Sequence, residues 1–151
     1  SILSSYFTRI GFSCKGIPKP TLDTLRELNR LHTQTIPFEN LDPFMGRRVP
    51  IDLESIRKKL VDGSRGGYCY EQNKLFRHVL EQIGFNVSTY AGRVVWGFDE
   101  PRFNATTHML LGTKIEGKEY IVDVGFGGQT LSGPIALETG IEQQLPLGTY
   151  R

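Results

Sequence analysis

The spacing of apolar residues changes near residue 84, and this change constrains the fold more than any other feature of the sequence. Before it, apolar side chains recur three and four positions apart, as on the buried face of a helix. After it come runs rich in valine, threonine and tyrosine, which favour strands. The sequence therefore predicts an α+β fold, with a helical bundle over residues 1–84 and a sheet or barrel over residues 85–151.

Four helices are predicted before residue 84, each bounded by a capping residue, a proline or a glycine. They begin near Leu3, Thr21, Asp52 and Cys69. The second ends before the Ile36–Pro37 pair, because proline disfavours helix in the residue that precedes it. Residues 38–43 are predicted to form a turn-rich link, and the run Arg57-Lys58-Lys59 is predicted to be a solvated helix face.

Three strands are predicted over residues 87–96, 107–115 and 118–126. The last two are joined at Glu116-Gly117, a plausible hairpin turn. Both contain runs that are apolar on two faces, so we expect them to be covered on both sides. Further short strands and loops are expected after Gly127.

Cys69 follows two glycines and lies at the predicted start of the fourth helix. The helix dipole and the unpaired amide groups there favour the thiolate, which is the form that attacks carbonyl carbon. The glycines permit a tight turn and leave the approach to the sulfur open. On the local sequence alone, a buried structural cysteine is an equally weighted interpretation.

The predicted hairpin supplies partners for Cys69. In the register that pairs Ile115 with Lys118, His108 faces Gly125, and a glycine opposite the imidazole leaves it room. Asp123 then lies diagonal to His108 on the same face, roughly 7–8 Å away by backbone. A lone carboxylate in such an apolar strand is costly, so His108 is its expected partner.

Cys69, His108 and Asp123 thus form a candidate catalytic triad. The thiolate would be the nucleophile, the imidazole the general base or imidazolium partner, and the carboxylate the group that orients the ring. A core histidine and a structural ion pair are the alternatives, but the three residues together favour a function. The same order fits a thiol hydrolase or transglutaminase-like enzyme, and a non-catalytic binding module remains a third hypothesis.

Other features give weaker signals. His32 and His78 are predicted to lie at the surface or at a boundary, and Cys14 is interpreted as incidental.

A net charge of +2 is too small to argue for nucleic acid or an anionic membrane, and no apolar run approaches the roughly 20 residues that span a bilayer. No metal signature is present. Two cysteines without a recognisable signal peptide favour a reducing cytoplasm.

Four motifs, in order along nearly the whole chain, resemble the arylamine N-acetyltransferase family. They are Pro37-Phe38-Glu39-Asn40-Leu41, Arg65-Gly66-Gly67-Tyr68-Cys69, Thr107-His108 and Val122-Asp123-Val124-Gly125-Phe126-Gly127. The resemblance implies a helical first domain, an antiparallel β-barrel second domain and a cysteine-protease-like triad of Cys69, His108 and Asp123. It also implies a ping-pong reaction: acetyl-CoA acetylates the cysteine, which passes the acetyl group to an arylamine, arylhydrazine or N-hydroxyarylamine.

The resemblance further implies roles around the triad. Phe126 would line the acceptor pocket with Phe38 nearby, and Asn73 would belong to the network around the triad. Arg65 would pair with Glu39 as structural support.

Contacts with coenzyme A are harder to place from the sequence. Asn104 and Ala105, which precede His108, are weak candidates. Family members continue into a third α/β domain that closes over the site and helps to hold coenzyme A. This sequence stops at Arg151, so that domain is expected to be absent from it.

Overall fold

A computed structural model describes residues 1–97 and 105–151. The helices described are α1 (Ile2–Ile10), α2 (Leu22–Thr35), α3 (Leu41–Phe44), α4 (Leu53–Ile56), a π-helical segment (Arg57–Asp62) and α5 (Cys69–Ile83). The strands described are β1 (Val87–Gly92), β2 (His108–Ile115), β3 (Lys118–Val122), β4 (Ile135–Ala136), β5 (Gln143–Leu145) and β6 (Gly148–Tyr150). The predicted α+β class is confirmed, and none of the helices described is long and apolar enough to cross a membrane.

The predicted helix boundaries rest on local capping. The side chains of Thr21 and Asp52 accept hydrogen bonds from the backbone amides of Thr24 and Ser55, three residues further on. Gly84 ends α5 with a φ of 105°, in the left-handed region that glycine tolerates. These short-range contacts explain why the boundaries could be predicted.

The predicted link over residues 38–43 is not wholly irregular, because it contains the start of α3. Pro43 lies in this single turn of helix. A proline in the first turn sacrifices no hydrogen bond, since the amides there have no helical partner. The proline and asparagine of the link therefore did not prevent a turn of helix.

The predicted third helix is divided into α4 and the π-helical segment. The backbone amide of Gly63 donates to the Lys58 carbonyl, five residues back, which is the wider turn of a π-helix. The expected solvated face is wrong for Lys59, whose side chain is only 14% exposed. Two carboxylates, Asp42 and Glu71, each lie 2.8 Å from its Nζ, and these ion pairs explain the burial.

Helices and sheet share one hydrophobic core. Its members are Leu3, Tyr6, Ile10, Leu25, Leu28, Ile36, Ile56, Leu60, Val61, Leu75, Phe76, Val79, Leu80, Ile83, Phe85, Met109, Leu111, Val122 and Val124. The predicted boundary near residue 84 coincides with the change from helix to strand. The division into domains 1–84 and 85–151 stays a prediction, because the two segments are packed together.

The main sheet is antiparallel, with strand order β1-β2-β3-β4, and β5 and β6 form a separate hairpin. The predicted antiparallel pairing is confirmed, but the strands described do not close into a barrel. Closure requires the two edge strands to bond to each other. Here β4 has only two residues, which pair with β3, and β1 pairs with β2.

The β2–β3 hairpin has the predicted register. Glu116 and Gly117 both have positive φ, 50° and 82°, as a type I′ turn requires. Pairing continues to the end of β3 at Val122, so β3 is shorter than predicted and His108 has no ladder partner there. The residue that faces His108 is Gly92 on β1, not Gly125, which corrects the prediction.

His32 is completely buried, so its predicted position at a surface or boundary is wrong. It lies on the inner face of α2, seven residues after Leu25 and four after Leu28. Its ring bonds to the Tyr6 hydroxyl and the Gln72 amide, which allows it to be buried. Burial lowers the pKa of His32 to about 4.

This burial makes stability depend on pH in the acid range. The pKa of His32 is about 4 when folded and about 6.5 when unfolded, so the unfolded chain takes up the proton first. The stability contribution is complete above about pH 6.5 and decreases as the pH falls towards about 4. We expect the wild type to lose about 2 kcal/mol more than His32→Gln between pH 7 and pH 5, measured by urea denaturation. Equal losses in the two proteins would contradict this assignment, and His78→Gln is the matched control.

A second stability prediction concerns the loop before α5, where Gly67 and Phe38 form a parallel bridge. A Cβ atom at Gly66 would lie 2.0 Å from the Pro37 carbonyl oxygen, so the backbone has to move to accept one. We expect Gly66→Ala to lower the free energy of unfolding by about 1–3 kcal/mol, the usual cost of overpacking. Gly128→Ala is the control, because a Cβ there meets nothing within 4 Å. Similar denaturation midpoints for both variants would disprove the close approach.

Candidate active site

Cys69 is the first residue of α5, as predicted, and is only 8% exposed. Glu71 supports this helix start, because its Oε2 accepts a hydrogen bond from the backbone amide of Tyr68. The sulfur thus lies at the end of the helix where the dipole favours negative charge.

An ion-pair network holds the loop that leads to Cys69. Arg65 contacts Glu39 at 2.8 Å and Asp42 at 3.0 Å, so the expected pairing of Arg65 with Glu39 is present. Lys59 joins Asp42 to Glu71, with both contacts at 2.8 Å. The sequence analysis did not predict that Asp42, Lys59 and Glu71 belong to this network. The one indication in the sequence was the unusual mix of apolar and acidic residues over positions 38–43.

Lys59 and Asp42, two members of this network, stay charged at neutral pH. Burial opposes the charge of Lys59, but hydrogen bonds to Asp42 and Glu71 raise its pKa above the usual value. Hydrogen bonds from Lys59 and Arg65 lower the pKa of Asp42. The loop is therefore fixed by charges that persist under physiological conditions.

His108 and Asp123 are in direct contact, with 2.5 Å between Nε2 of the ring and Oδ2 of the carboxylate. A carboxylate only accepts, so Nε2 carries the proton. The other carboxylate oxygen accepts from the Gly125 amide at 2.9 Å and from the Asn73 side chain at 3.0 Å. Asp123 is buried, and both of its oxygens have partners.

Asn73 connects α5 to both segments that carry the pair. Its Nδ2 donates to the Met109 carbonyl at 2.7 Å as well as to Asp123, and its Oδ1 accepts from the Val124 amide at 3.1 Å. The side chain is completely buried. Because donor and acceptor are both used, the amide has one favourable orientation.

The charge on His108 follows from these contacts. Burial lowers its pKa, but the hydrogen bond to Asp123 and the neighbouring Cys69 outweigh burial and raise the pKa to about 9. The ring is therefore an imidazolium at neutral pH. Since Nε2 bonds to Asp123, Nδ1 is the nitrogen left for Cys69.

Gly125 has a different role from the one predicted. A Cβ there would lie 2.8 Å from the Cα of Cys69 and 3.1 Å from Nδ2 of Asn73. The glycine therefore lets the first turn of α5 approach the segment after β3, rather than making room for the imidazole.

Of the two phenylalanines, Phe126 contacts the pair, and Phe38 lies against Gly127, the residue that follows Phe126. The Phe126 ring packs edge-on against the His108 ring, with 5.1 Å between centroids. Phe38 is 44% exposed, and its ring lies 3.5 Å from where a Cβ of Gly127 would be. A cleft of about 350 Å³ opens beside Phe126, lined also by Val94, Trp96, Gly128 and Gln129.

Of the two residues proposed to contact the cofactor, the structure describes one. Ala105 is exposed and lies three residues before His108. Asn104 lies outside the described residues. Within the part of the chain that is described, no group of three or more histidine, cysteine or acidic side chains could hold a metal ion.

Comparisons with known proteins identify the family of the chain. A family model described as N-acetyltransferase matches residues 21–151. An arylamine N-acetyltransferase from Escherichia coli is 47% identical over 150 residues, which cover 99% of this chain and 52% of the relative. The structure of the enzyme from Salmonella typhimurium, at 44% identity, matches with a TM-score of 0.94 and covers 100% of this chain and 54% of that one.

A third match is a structure with a bound ligand. The structure of the Mycobacterium marinum arylamine N-acetyltransferase in complex with CoA is 48% identical, with a TM-score of 0.89, and covers 99% of this chain and 55% of that one. This chain spans about half the length of the relatives that it matches. The family model covers most of the chain, and the chain belongs to the arylamine N-acetyltransferase family.

Proposed function

We propose that this chain transfers an acetyl group from acetyl-CoA to an arylamine, arylhydrazine or N-hydroxyarylamine, through an acetyl-cysteine on Cys69. The observation that carries the proposal is the placement of Cys69 at the start of a helix beside an imidazolium held by Asp123. Membership of the family and the CoA complex of a relative support acetyl-CoA as the donor.

In the first half of the reaction, the Cys69 thiolate attacks the carbonyl carbon of the thioester. A bond forms from Sγ to this carbon, and the bond to the sulfur of coenzyme A breaks. The departing thiolate takes the proton of the His108 imidazolium, so free coenzyme A leaves as a thiol. His108 is then neutral, and no step needs a metal ion.

In the second half, the nitrogen of the amine, or the oxygen of an N-hydroxyarylamine, attacks the acetyl-cysteine. Neutral His108 accepts the proton that this atom loses. The bond to Cys69 breaks, and the thiolate–imidazolium pair is restored. The two halves leave the enzyme unchanged, as a ping-pong cycle requires.

Asp123 has two roles in this scheme. Its hydrogen bond to Nε2 leaves Nδ1 for proton exchange with Cys69 and the substrates, and its charge favours the imidazolium. The Asn73 amide keeps the carboxylate in place. Cys69, His108 and Asp123 form the cysteine-protease-like arrangement that we propose for this site.

The aromatic acceptor would bind in the cleft that Phe126 lines, with Phe38 nearby, and the Phe126 ring itself packs against the imidazole of His108. Edge-to-face or offset contacts between rings are worth about 0.5–1.5 kcal/mol each beyond burial. Ala105, and Asn104 outside the described residues, remain proposed contacts for coenzyme A.

Mass spectrometry after exposure to acetyl-CoA tests the proposal directly. We expect a mass increase of about 42 Da, which corresponds to one acetyl group on Cys69. When aniline is added, this increase should disappear and acetanilide should form. Loss of the adduct to water alone would favour a thiol hydrolase. No adduct at all would favour a non-catalytic module.

Cys69→Ser tests the nucleophile. A serine hydroxyl is far less acidic than a thiol, so we expect no measurable adduct and no transfer, with an unchanged melting temperature. Cys14→Ser is the matched control, because Cys14 is the other free cysteine and is exposed. Substantial activity in Cys69→Ser, or its loss in Cys14→Ser, would disprove the assignment.

Asp123→Asn tests the imidazolium. The variant keeps the shape but removes the charge that raises the pKa of His108 to about 9, so this pKa should fall and the ring should be largely neutral at pH 7.5. We expect alkylation of Cys69 by iodoacetamide to slow by about tenfold or more, and acetyl transfer by roughly a thousandfold or more. Asp62→Asn, which removes a surface carboxylate paired with Arg57, should change neither rate. A wild-type alkylation rate in Asp123→Asn would rule out the ion pair.

A further inference from the structure

Three completely buried polar side chains form a continuous hydrogen-bonded chain from α1 through α2 to α5. The Tyr6 hydroxyl lies 2.8 Å from Nδ1 of His32, and Nε2 of His32 lies 2.7 Å from Oε1 of Gln72. None of the three is exposed to solvent. They take no part in the proton transfers proposed above.

The bonds in this chain have one direction. Gln72 uses its NH₂ group to donate to backbone carbonyls, so its oxygen faces His32 and can only accept. Nε2 of His32 therefore carries the proton, and Nδ1 accepts from the Tyr6 hydroxyl. Burial keeps His32 and Tyr6 neutral, since it lowers the pKa of His32 to about 4 and raises that of Tyr6. Among the charged groups, Arg9 acts on His32 in the same direction as burial.

The Gln72 end of this hydrogen-bonded chain reaches two carbonyls that flank the site. Nε2 of Gln72 lies 3.4 Å from the Ile36 carbonyl, and it donates more closely to the carbonyls of Pro37 at 2.9 Å and Gly67 at 3.2 Å. Both carbonyls already accept backbone amides across the parallel bridge, from Gly67 at 3.3 Å and from Glu39 at 3.0 Å. Gln72 is thus not needed to satisfy these oxygens, and it instead fixes the two segments against α5.

These two segments carry the proposed acceptor contact and the proposed nucleophile. Pro37 precedes Phe38, and Gly67 lies two residues before Cys69. Gln72 also packs against the segment after β3, because a Cβ added at Gly125 would lie 3.0 Å from the Cβ of Gln72. One side chain therefore contacts three of the segments around the sulfur.

We propose that Gln72, held in place by His32 and Tyr6, is a positioning residue that sets Phe38 relative to Cys69 and so aligns an aromatic acceptor with the sulfur. This inference rests on the proposed function, since it concerns the acceptor half of the same site. A buried apolar side chain would fill the space, but it would not fix the two carbonyls. The directional bonds supply an alignment that packing alone does not.

The test compares two alkylating reagents, so it does not require acetyl transfer. Iodoacetamide and iodoacetanilide carry the same reactive group, but only the second has an aryl ring. We expect the ratio of their rates at Cys69, iodoacetanilide over iodoacetamide, to fall about tenfold in Gln72→Met, with the iodoacetamide rate unchanged. The acceptor KM should rise by a similar factor, while release of coenzyme A in the first half of the reaction is unchanged.

Three further measurements keep the result interpretable. Tyr6→Phe keeps the ring and removes only the hydroxyl, so it should lower the ratio at least twofold even if Gln72→Met does not fold. Thr113→Val is the matched control, because it removes a partly buried hydrogen bond to the Asn86 carbonyl, five residues along β2 from His108. It should lower the melting temperature and leave the ratio unchanged. The ¹⁵N shifts of the His32 ring should show a protonated Nε2.

The outcomes separate the two proposals. A wild-type ratio in folded Gln72→Met and Tyr6→Phe would overturn the positioning role and leave the proposed function intact. If the wild type forms no acetyl-cysteine, yet the ratio falls in the two variants as expected, the proposed function is overturned and the positioning role is supported.

Discussion

The buried carboxylate of Asp123 is the constraint on which the arrangement of helices and sheet around the site depends. An unpaired charge in this position would cost several kcal/mol. Its two oxygens are satisfied by groups from different parts of the chain: the imidazole at the start of β2, the Asn73 amide on α5 and the Gly125 amide after β3. These segments therefore have to meet at the carboxylate. Cys69 is brought there as well, because it lies on α5 together with Asn73.

Three consecutive residues of α5 extend this constraint around the helix. Glu71, Gln72 and Asn73 are all buried and polar, and each points about 100° from the last. Glu71 bonds to Lys59, Gln72 to His32 and two carbonyls, and Asn73 to Asp123. Because their partners lie on different sides, rotation of α5 would break at least one set. The orientation of the helix start is thus set by polar contacts, while the apolar face supplies the packing.

The sequence predicted the features that depend on local geometry, together with the contacts of His108 with Asp123 and of Arg65 with Glu39, but it missed other features that depend on distant partners. The Glu116-Gly117 turn fixed the β2–β3 register, and the capping residues fixed the helix starts. The burial of Lys59 depends on carboxylates 17 and 12 positions away, which no periodicity reveals. His32 was misplaced by its residue type, although its spacing from Leu25 and Leu28 put it on the apolar face. Barrel closure depends on which edge strands meet, and apolar patterning carries no information about that.

The two buried histidines show that burial alone does not decide the charge of a side chain. Both are less than a tenth exposed, yet the pKa of His32 falls to about 4 and that of His108 rises to about 9. Neutral Tyr6 and Gln72 give His32 no counter-charge, so desolvation dominates. Asp123 supplies one to His108. Between these two pH values the neutral histidine can serve a fixed hydrogen-bonded chain, while the charged one can exchange a proton with the sulfur. Adjacent residues of α5 support both states, because Gln72 bonds to His32 and Asn73 bonds to Asp123, the partner of His108.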